Sequence, residues 1–194
     1  TDGGRSLEEI GLVVETDFHL MAAGYRSHDL FVMNPQANSE MEAGFYFSDN
    51  DGADWEQLDP KGIEGEIMAL AIHPDDSQLM AAASNAGVFL SEDGGATFER
   101  LTPEGEFGTA LHFTDSELLY ASHGSAAAMK SYSLEDGETQ SLELPELGED
   151  GAIFIAANPA KPEEMAFYTA MGDSYLSGDG GGSWQEILSE GKIQ

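Results

Sequence analysis

The chain contains no cysteine, which excludes a disulfide framework and any thiolate nucleophile or metal ligand, and leaves the redox compartment unread. Basic residues are nearly as scarce. Seven lysines and arginines stand against 37 aspartates and glutamates, a formal net charge of −30, and lysine occurs only at 61, 130, 161 and 192. With no basic stripe to neutralise phosphates, nucleic acid and anionic lipid are repelled, and nucleic-acid binding is excluded as a function. No apolar run is long enough for a membrane span, and no secretory leader opens the chain. The sequence begins inside a repeat unit, which leaves room for a leader ahead of it.

What is present is enough for a fold. With 194 residues, 41% of them hydrophobic, the chain can bury a substantial core. So much acid has two readings. Carboxylates scattered over the whole surface indicate adaptation to high salt, where ions screen repulsion within a few ångströms, whereas carboxylates gathered at one place indicate a cation site. Little lysine beside much acid favours a salt-adapted source.

One short motif recurs. Ser48-Asp49-Asn50-Asp51-Gly52-Ala53-Asp54-Trp55, Ser91-Glu92-Asp93-Gly94-Gly95-Ala96-Thr97-Phe98, Ser133-Leu134-Glu135-Asp136-Gly137-Glu138-Thr139-Gln140 and Ser177-Gly178-Asp179-Gly180-Gly181-Gly182-Ser183-Trp184 start 43, 42 and 44 residues apart. A partial fifth copy opens the chain at Thr1. The chemistry is that of a hairpin staple: Ser and Asp bond the turn's own amides, Gly supplies the positive φ, and the last aromatic folds onto the sheet. The staple residues are therefore Ser48, Asp51, Gly52 and Trp55; Ser91, Asp93, Gly95 and Phe98; Ser177, Asp179, Gly181 and Trp184. Between staples, short apolar runs alternate with turn signals, as in residues 67–72, 79–83, 88–91 and 97–101, giving four strands per unit. Four-stranded units at 40–45 residues are blades of a β-propeller. The expected fold is one all-β domain over residues 1–194 with antiparallel blades at about 17–58, 66–102, 106–144 and 151–188. A strand near Leu7 to Ile10 is left over from a preceding blade, so the chain is expected to be an arc of a larger propeller that self-associates through its open blade edges, with a four-bladed closed ring as the alternative.

The pattern Ser-x-Asp-x-Gly-x-Thr/Ser-Trp/Phe resembles the Asp-box, or BNR, repeat of sialidase-like and sortilin-type propellers. The copy at Ser177 fits fully, that at Ser91 has Phe for Trp, that at Ser48 has Asp54 where Thr or Ser is usual, and that at Ser133 is degenerate. Stretches such as residues 17–25 and 147–150 look similar to secreted bacterial Asp-box proteins carrying a glycosyl hydrolase label. The resemblance implies a propeller in an extracellular or cell-surface setting and leaves the chemistry open, because one fold hosts many functions. Sialidase chemistry would need three arginines converging on the substrate, and Arg5, Arg26 and Arg100 are expected away from the channel mouth.

Propeller geometry puts the staples on one face. The interblade connections and the loops between second and third strands share the other, around the channel mouth, where a ligand site is expected. Acids recur there as Glu15-Thr16-Asp17, Glu64-Gly65-Glu66, Glu104-Gly105-Glu106 and Gly148-Glu149-Asp150. They are read as surface decoration or as an arc that gathers cations, Ca²⁺ or another divalent metal included. Ligand-binding candidates are Asp17, His19, Glu66, Glu106, His123 and Asp150, with Asp17, His19 and Glu66 as the metal set. The resulting expectation is a non-catalytic module that binds a protein, a glycan or a cation. The alternative is a glycoside-hydrolase-like enzyme that uses the mouth carboxylates.

Overall fold

The computed structural model describes Arg5, Ser6, Thr16 and residues 18–193. The partial staple at Thr1 and the leftover strand at Leu7 to Ile10 fall outside them, Arg5 and Ser6 apart. Among the described residues there is no helix, and none therefore that could cross a membrane.

Seventeen strands form four antiparallel meanders. The first is β1 (Leu20–Ala23), β2 (Leu30–Asn34), β3 (Gly44–Ser48) and β4 (Glu56–Leu58). The second is β5 (Ile67–Ile72), β6 (Met80–Ser84), β7 (Gly87–Ser91) and β8 (Glu99–Arg100). The third is β9 (Phe107–Phe113), β10 (Glu117–His123), β11 (Ala127–Ser133) and β12 (Thr139–Leu142). The fourth is β13 (Ala152–Asn158), β14 (Lys161–Thr169), β15 (Ser174–Ser177), β16 (Gln185–Ser189) and β17 (Lys192–Ile193). These are propeller blades, and only the last departs from four strands. The sequence reading ended it at Leu188. The left-handed pair Glu190 and Gly191 (φ 48° and 73°) instead reverses the chain, and β17 pairs back on β16.

Successive residues of a strand point to opposite faces, so each blade feeds two seams. Leu118 and Tyr120 pack with Ala81, Ala83, Val88 and Leu90 of the second blade. Their neighbours Leu119 and Ala121 pack with Ala152, Ile155, Met165 and Phe167 of the fourth. Phe31 of the first blade joins Met80, Ala82, Phe89 and Phe98 of the second. Strands β6 and β7, in an interior blade, are buried at every position, as strands covered on both faces must be. The run Ala81–Ala82–Ala83 is small enough for larger side chains to close on it from both sides. The outermost strands β4, β8 and β12 are short and largely polar, which suits solvent-facing edges.

Inner strands pack in chain order, β1 on β5, β5 on β9 and β9 on β13, whereas β13 makes no comparable contact with β1. The outward face of the first blade is closed by Phe18, Met41 and Trp55 over Val32 and Tyr46. The outward face of the fourth leaves Phe154, Tyr168 and Leu176 exposed, with the Phe154 and Tyr168 rings 6.4 Å apart. The four blades are thus an open arc and not a closed ring.

The staples have a definite hydrogen-bond chemistry. Ser91 Oγ donates to Asp93 Oδ1 (2.9 Å) and accepts from Gly95 N (2.9 Å), and Asp93 accepts from the backbone and hydroxyl of Thr97 (2.8 and 2.6 Å). Ser177, Asp179, Gly181 and Ser183 repeat the arrangement. In the first blade the carboxylate's place belongs to Asn50 and not to Asp51, which corrects the sequence assignment. Ser48 Oγ donates to Asn50 Oδ1 (2.9 Å), and Asp54 N donates to the same oxygen (2.9 Å). Asn50 Nδ2 then donates to Asp54 Oδ2 (3.0 Å), so the unusual Asp54 fits because an amide has replaced the acid opposite it. Asp51 is the next residue of the turn, left-handed at φ 58°, and lies 3.2 Å from the His28 ring. The degenerate copy makes a tighter turn closed by Gly137 N to Ser133 O and Ser133 N to Glu138 O.

Candidate functional site at the channel mouth

The four inner strands surround one cavity of 280 Å³. Residues 19–21, 68–70, 110–111 and 153–155 line it; in all but β9, where they are central, these are early positions of the inner strands, towards the face that carries the interblade connections. Its lining side chains are apolar apart from His19, and three of them are uncovered: Met21 is 60% exposed, Met68 46% and Phe154 67%. Each belongs to a different blade. Phe154 sits where the channel meets the open face of the last blade, and His19, a candidate from the sequence, stands beside Met21 in the same wall.

The carboxylates around this mouth are partly consumed by the fold. Glu66 is exposed, and its backbone, not its side chain, bonds Asn85 through both N–H and C=O. Glu64 pairs with Arg100 at 2.8 Å. Glu106 accepts from Ser122 Oγ (3.0 Å). Asp150 is 5% exposed, and its Oδ1 accepts from Gly151 N (2.8 Å) and Met171 N (3.2 Å). In each of these three blades the interblade connection therefore bonds the loop between the second and third strands, or the strand end leading into it. Sequence reasoning missed its counterpart: a buried polar residue stands at or next to the end of the second strand of every blade, namely Asn34, Ser84, Ser122 and Thr169. Asn34 donates to the carbonyls of Met41 and Glu42, Ser84 to that of Glu64, and Ser122 to the Glu106 carboxylate, while Thr169 accepts from Asp173 N. The signal was a polar residue recurring at the close of an otherwise apolar strand.

Two candidates come together. The His123 ring stacks on Phe107 (centroids 5.4 Å apart), and a Cβ placed on Gly151 would lie 3.4 Å from its Cδ2, which brings His123 alongside the Asp150–Gly151 peptide. His123 Nε2 and Asp150 Oδ2 are both buried with no hydrogen-bond partner. Glu106 is next to them in the blade, against Gly124. His19 and Glu66 belong to other blades, and Asp17, the first of the metal set, lies outside the described residues. Among the described residues no three His, Asp or Glu side chains gather as a metal would require.

At its opposite end the channel is crossed by Arg26. Its guanidinium donates to Asp75 and Asp115, clamping the first blade's β1–β2 turn to the second and third blades, and Asp75 is held below the usual carboxylate range by that bond. The sequence reading put Arg26 in a turn between first and second strands, away from the loop-face mouth; it lies in that turn, across the staple-side end of the channel.

No protein-family profile and no curated protein sequence matches the chain. Solved structures do. The chain is similar to the GH74 xyloglucanase of Xanthomonas campestris (TM-score 0.60, 16% identity, covering 87% of this chain and 29% of that one). It is also similar to the extracellular domain of a protein assigned as a one-component system from B. thetaiotaomicron (TM-score 0.64, 14% identity, 94% of this chain and 23% of that one). A third likeness is to a chain of a nidogen–laminin complex (TM-score 0.65, 7% identity, 92% of this chain and 67% of that one). The chain thus spans less than a third of the xyloglucanase and less than a quarter of the extracellular domain. At such identities the shared property is the β-propeller fold.

Proposed function

We propose that this chain is part of a larger propeller of Asp-box kinship, extracellular or at the cell surface, that acts as a binding module rather than as a catalyst. Its ligand is a protein segment that inserts an apolar side chain into the channel and meets the acidic rim with basic groups. The observation that carries this reading is the set Met21, Met68 and Phe154. Three large apolar side chains stay in water around one cavity, and burying apolar area is worth about 25 cal/mol per Å² to whatever covers them. Met adapts to varied partners and Phe gives a rigid contact area. The rim carboxylates raise the local concentration of cations. Nidogen supports the reading in kind, since its propeller-bearing complex is one of two proteins.

The glycoside-hydrolase alternative needs two mouth carboxylates free to act on substrate. Glu106 and Asp150 each spend an oxygen on the protein itself, which favours binding. The test is titration of the chain with an arginine- and leucine-containing peptide, a xyloglucan oligosaccharide and CaCl₂. Binding of the peptide, lost on Phe154→Asp or Met68→Asp, is expected. Cleavage of the oligosaccharide, abolished by Glu66→Gln or Glu106→Gln, would overturn it.

A further inference from the structure

On the staple side, next to the Arg26 clamp, lies a second and separate pocket of 90 Å³, lined by the regions where the first strand turns into the second in all four blades. The first blade supplies Tyr25, the second Pro74, the third Phe113 and Asp115, and the fourth Pro159 and Pro162. Three of these six are prolines, which present carbon and have no N–H to leave unsatisfied when water is expelled. Pro74 and Phe113 are buried, while Pro159 and Pro162 are exposed.

Tyr25 is the distinctive wall. The residue is 52% exposed, yet its ring is held in place. The Arg26 guanidinium lies 4.7 Å from the ring centroid and donates to the Tyr25 hydroxyl. Arg26 is itself fixed by Asp75 and Asp115, and its backbone N–H and that of Ser27 donate to the Pro74 carbonyl (3.1 and 2.9 Å). A half-exposed aromatic that is already immobilised loses little entropy on contact, which is the character of an interface anchor. The rim carries one guanidinium against two carboxylates, so it keeps a net negative charge. His112 adds no charge to offset it, because burial pushes its pKa down.

We propose that this pocket docks a protein segment presenting a proline ring next to arginine or lysine. The Tyr25 face selects the ring: proline lays flat carbon on an aromatic, and a pocket of 90 Å³, smaller than the roughly 150 Å³ that holds benzene, suits a small apolar group. A proline-containing segment is already extended, so it pays little ordering entropy and can lay its ring on Tyr25. Its basic neighbours answer Asp75 and Asp115. The site is independent of the loop-face cavity and survives or fails apart from it.

The probe is the peptide fluorescein-Gly-Arg-Pro-Gly-Pro-Arg-Gly-amide, which lacks the large apolar side chain that the loop-face cavity would take, followed by anisotropy with the full chain. Saturable binding is expected, weakened at least ~10-fold by Tyr25→Ala and by Pro159→Trp, which fills the pocket from an exposed position. Phe154→Asp, at the other mouth, should leave it unchanged. Circular dichroism of each variant confirms the fold. Absence of saturation below about 1 mM, equal binding of the peptide with alanine for proline, or loss on Phe154→Asp without loss on Tyr25→Ala each overturns the proposal.

Discussion

Truncating Ser91 to alanine isolates the value of one staple. Ser91 is buried, and its hydroxyl accepts from Gly95 N at 2.9 Å and from Asp93 N at 3.4 Å while donating to Asp93 Oδ1 at 2.9 Å. Without the hydroxyl, the buried Gly95 N–H has no acceptor, at a cost of about 1–3 kcal/mol, while Asp93 keeps both donors of Thr97. The expected loss is roughly 2 kcal/mol, a fall of about 4–8 °C in Tm for a chain of this size. The same substitution at the equivalent position of the third blade is the control. Ser133 is half-buried, its Oγ accepts a long bond from Asp136 N (3.4 Å) and bonds the exposed Asp136 carboxylate, and this turn is closed by backbone bonds that survive its loss. Ser133→Ala should stay within about 0.5 kcal/mol. Urea unfolding of both variants at pH 7 gives the comparison. A Ser133→Ala loss as large as that of Ser91→Ala would refute the assignment of stability to the serine hydroxyl.

Three further outcomes are expected. Asp93, Asp136 and Asp179 all lie below their ordinary carboxyl value of 3.8, through bonds first from Thr97, Ser133 and Ser183 respectively. A depressed folded pKa stabilises above the unfolded value and loses that contribution as pH falls through the folded one. Melting temperature should therefore hold or rise from pH 7 to about 4.5 as repulsion among carboxylates is relieved, then drop below about 3.5; a steady decline starting at pH 6 would contradict this. Melts in KCl should rise from 0.1 to 1 M as the screening length shrinks from about 10 Å to about 3 Å, and indifference to salt would remove the proposed salt adaptation. Light scattering should show concentration-dependent association through the open face of the fourth blade, suppressed by Leu176→Glu; a monodisperse monomer at all concentrations would count against that face as a contact surface.

The blades could be read from the chain because a staple is local. Ser, Asp, Gly and an aromatic at fixed offsets close their own turn, so their spacing counts the repeats, and period-two runs between them announce strands. The acids at the mouth were visible in the same way, but their use was not. Glu106 meets Ser122 and Asp150 meets Met171 only after the meander folds, and nothing in the local sequence tells a carboxylate bonded at home from one offered to a ligand. Asn50 shows a miss within the motif itself: aligned by residue type, Asp51 looked like the staple acid, whereas the fixed offset from Ser48 and the hydrogen bonds both assign that place to Asn50.

The sequence by itself determined the repeat, the antiparallel four-stranded unit and the face on which the staples lie, since each rests on contacts between residues close in the chain. Tertiary structure alone decided that Met21, Met68 and Phe154 from three blades share one cavity, and that Arg26 crosses the far mouth to reach Asp75 and Asp115, 49 and 89 residues away. Those facts depend on how blades pack around an axis, a relation between distant residues that no local pattern encodes.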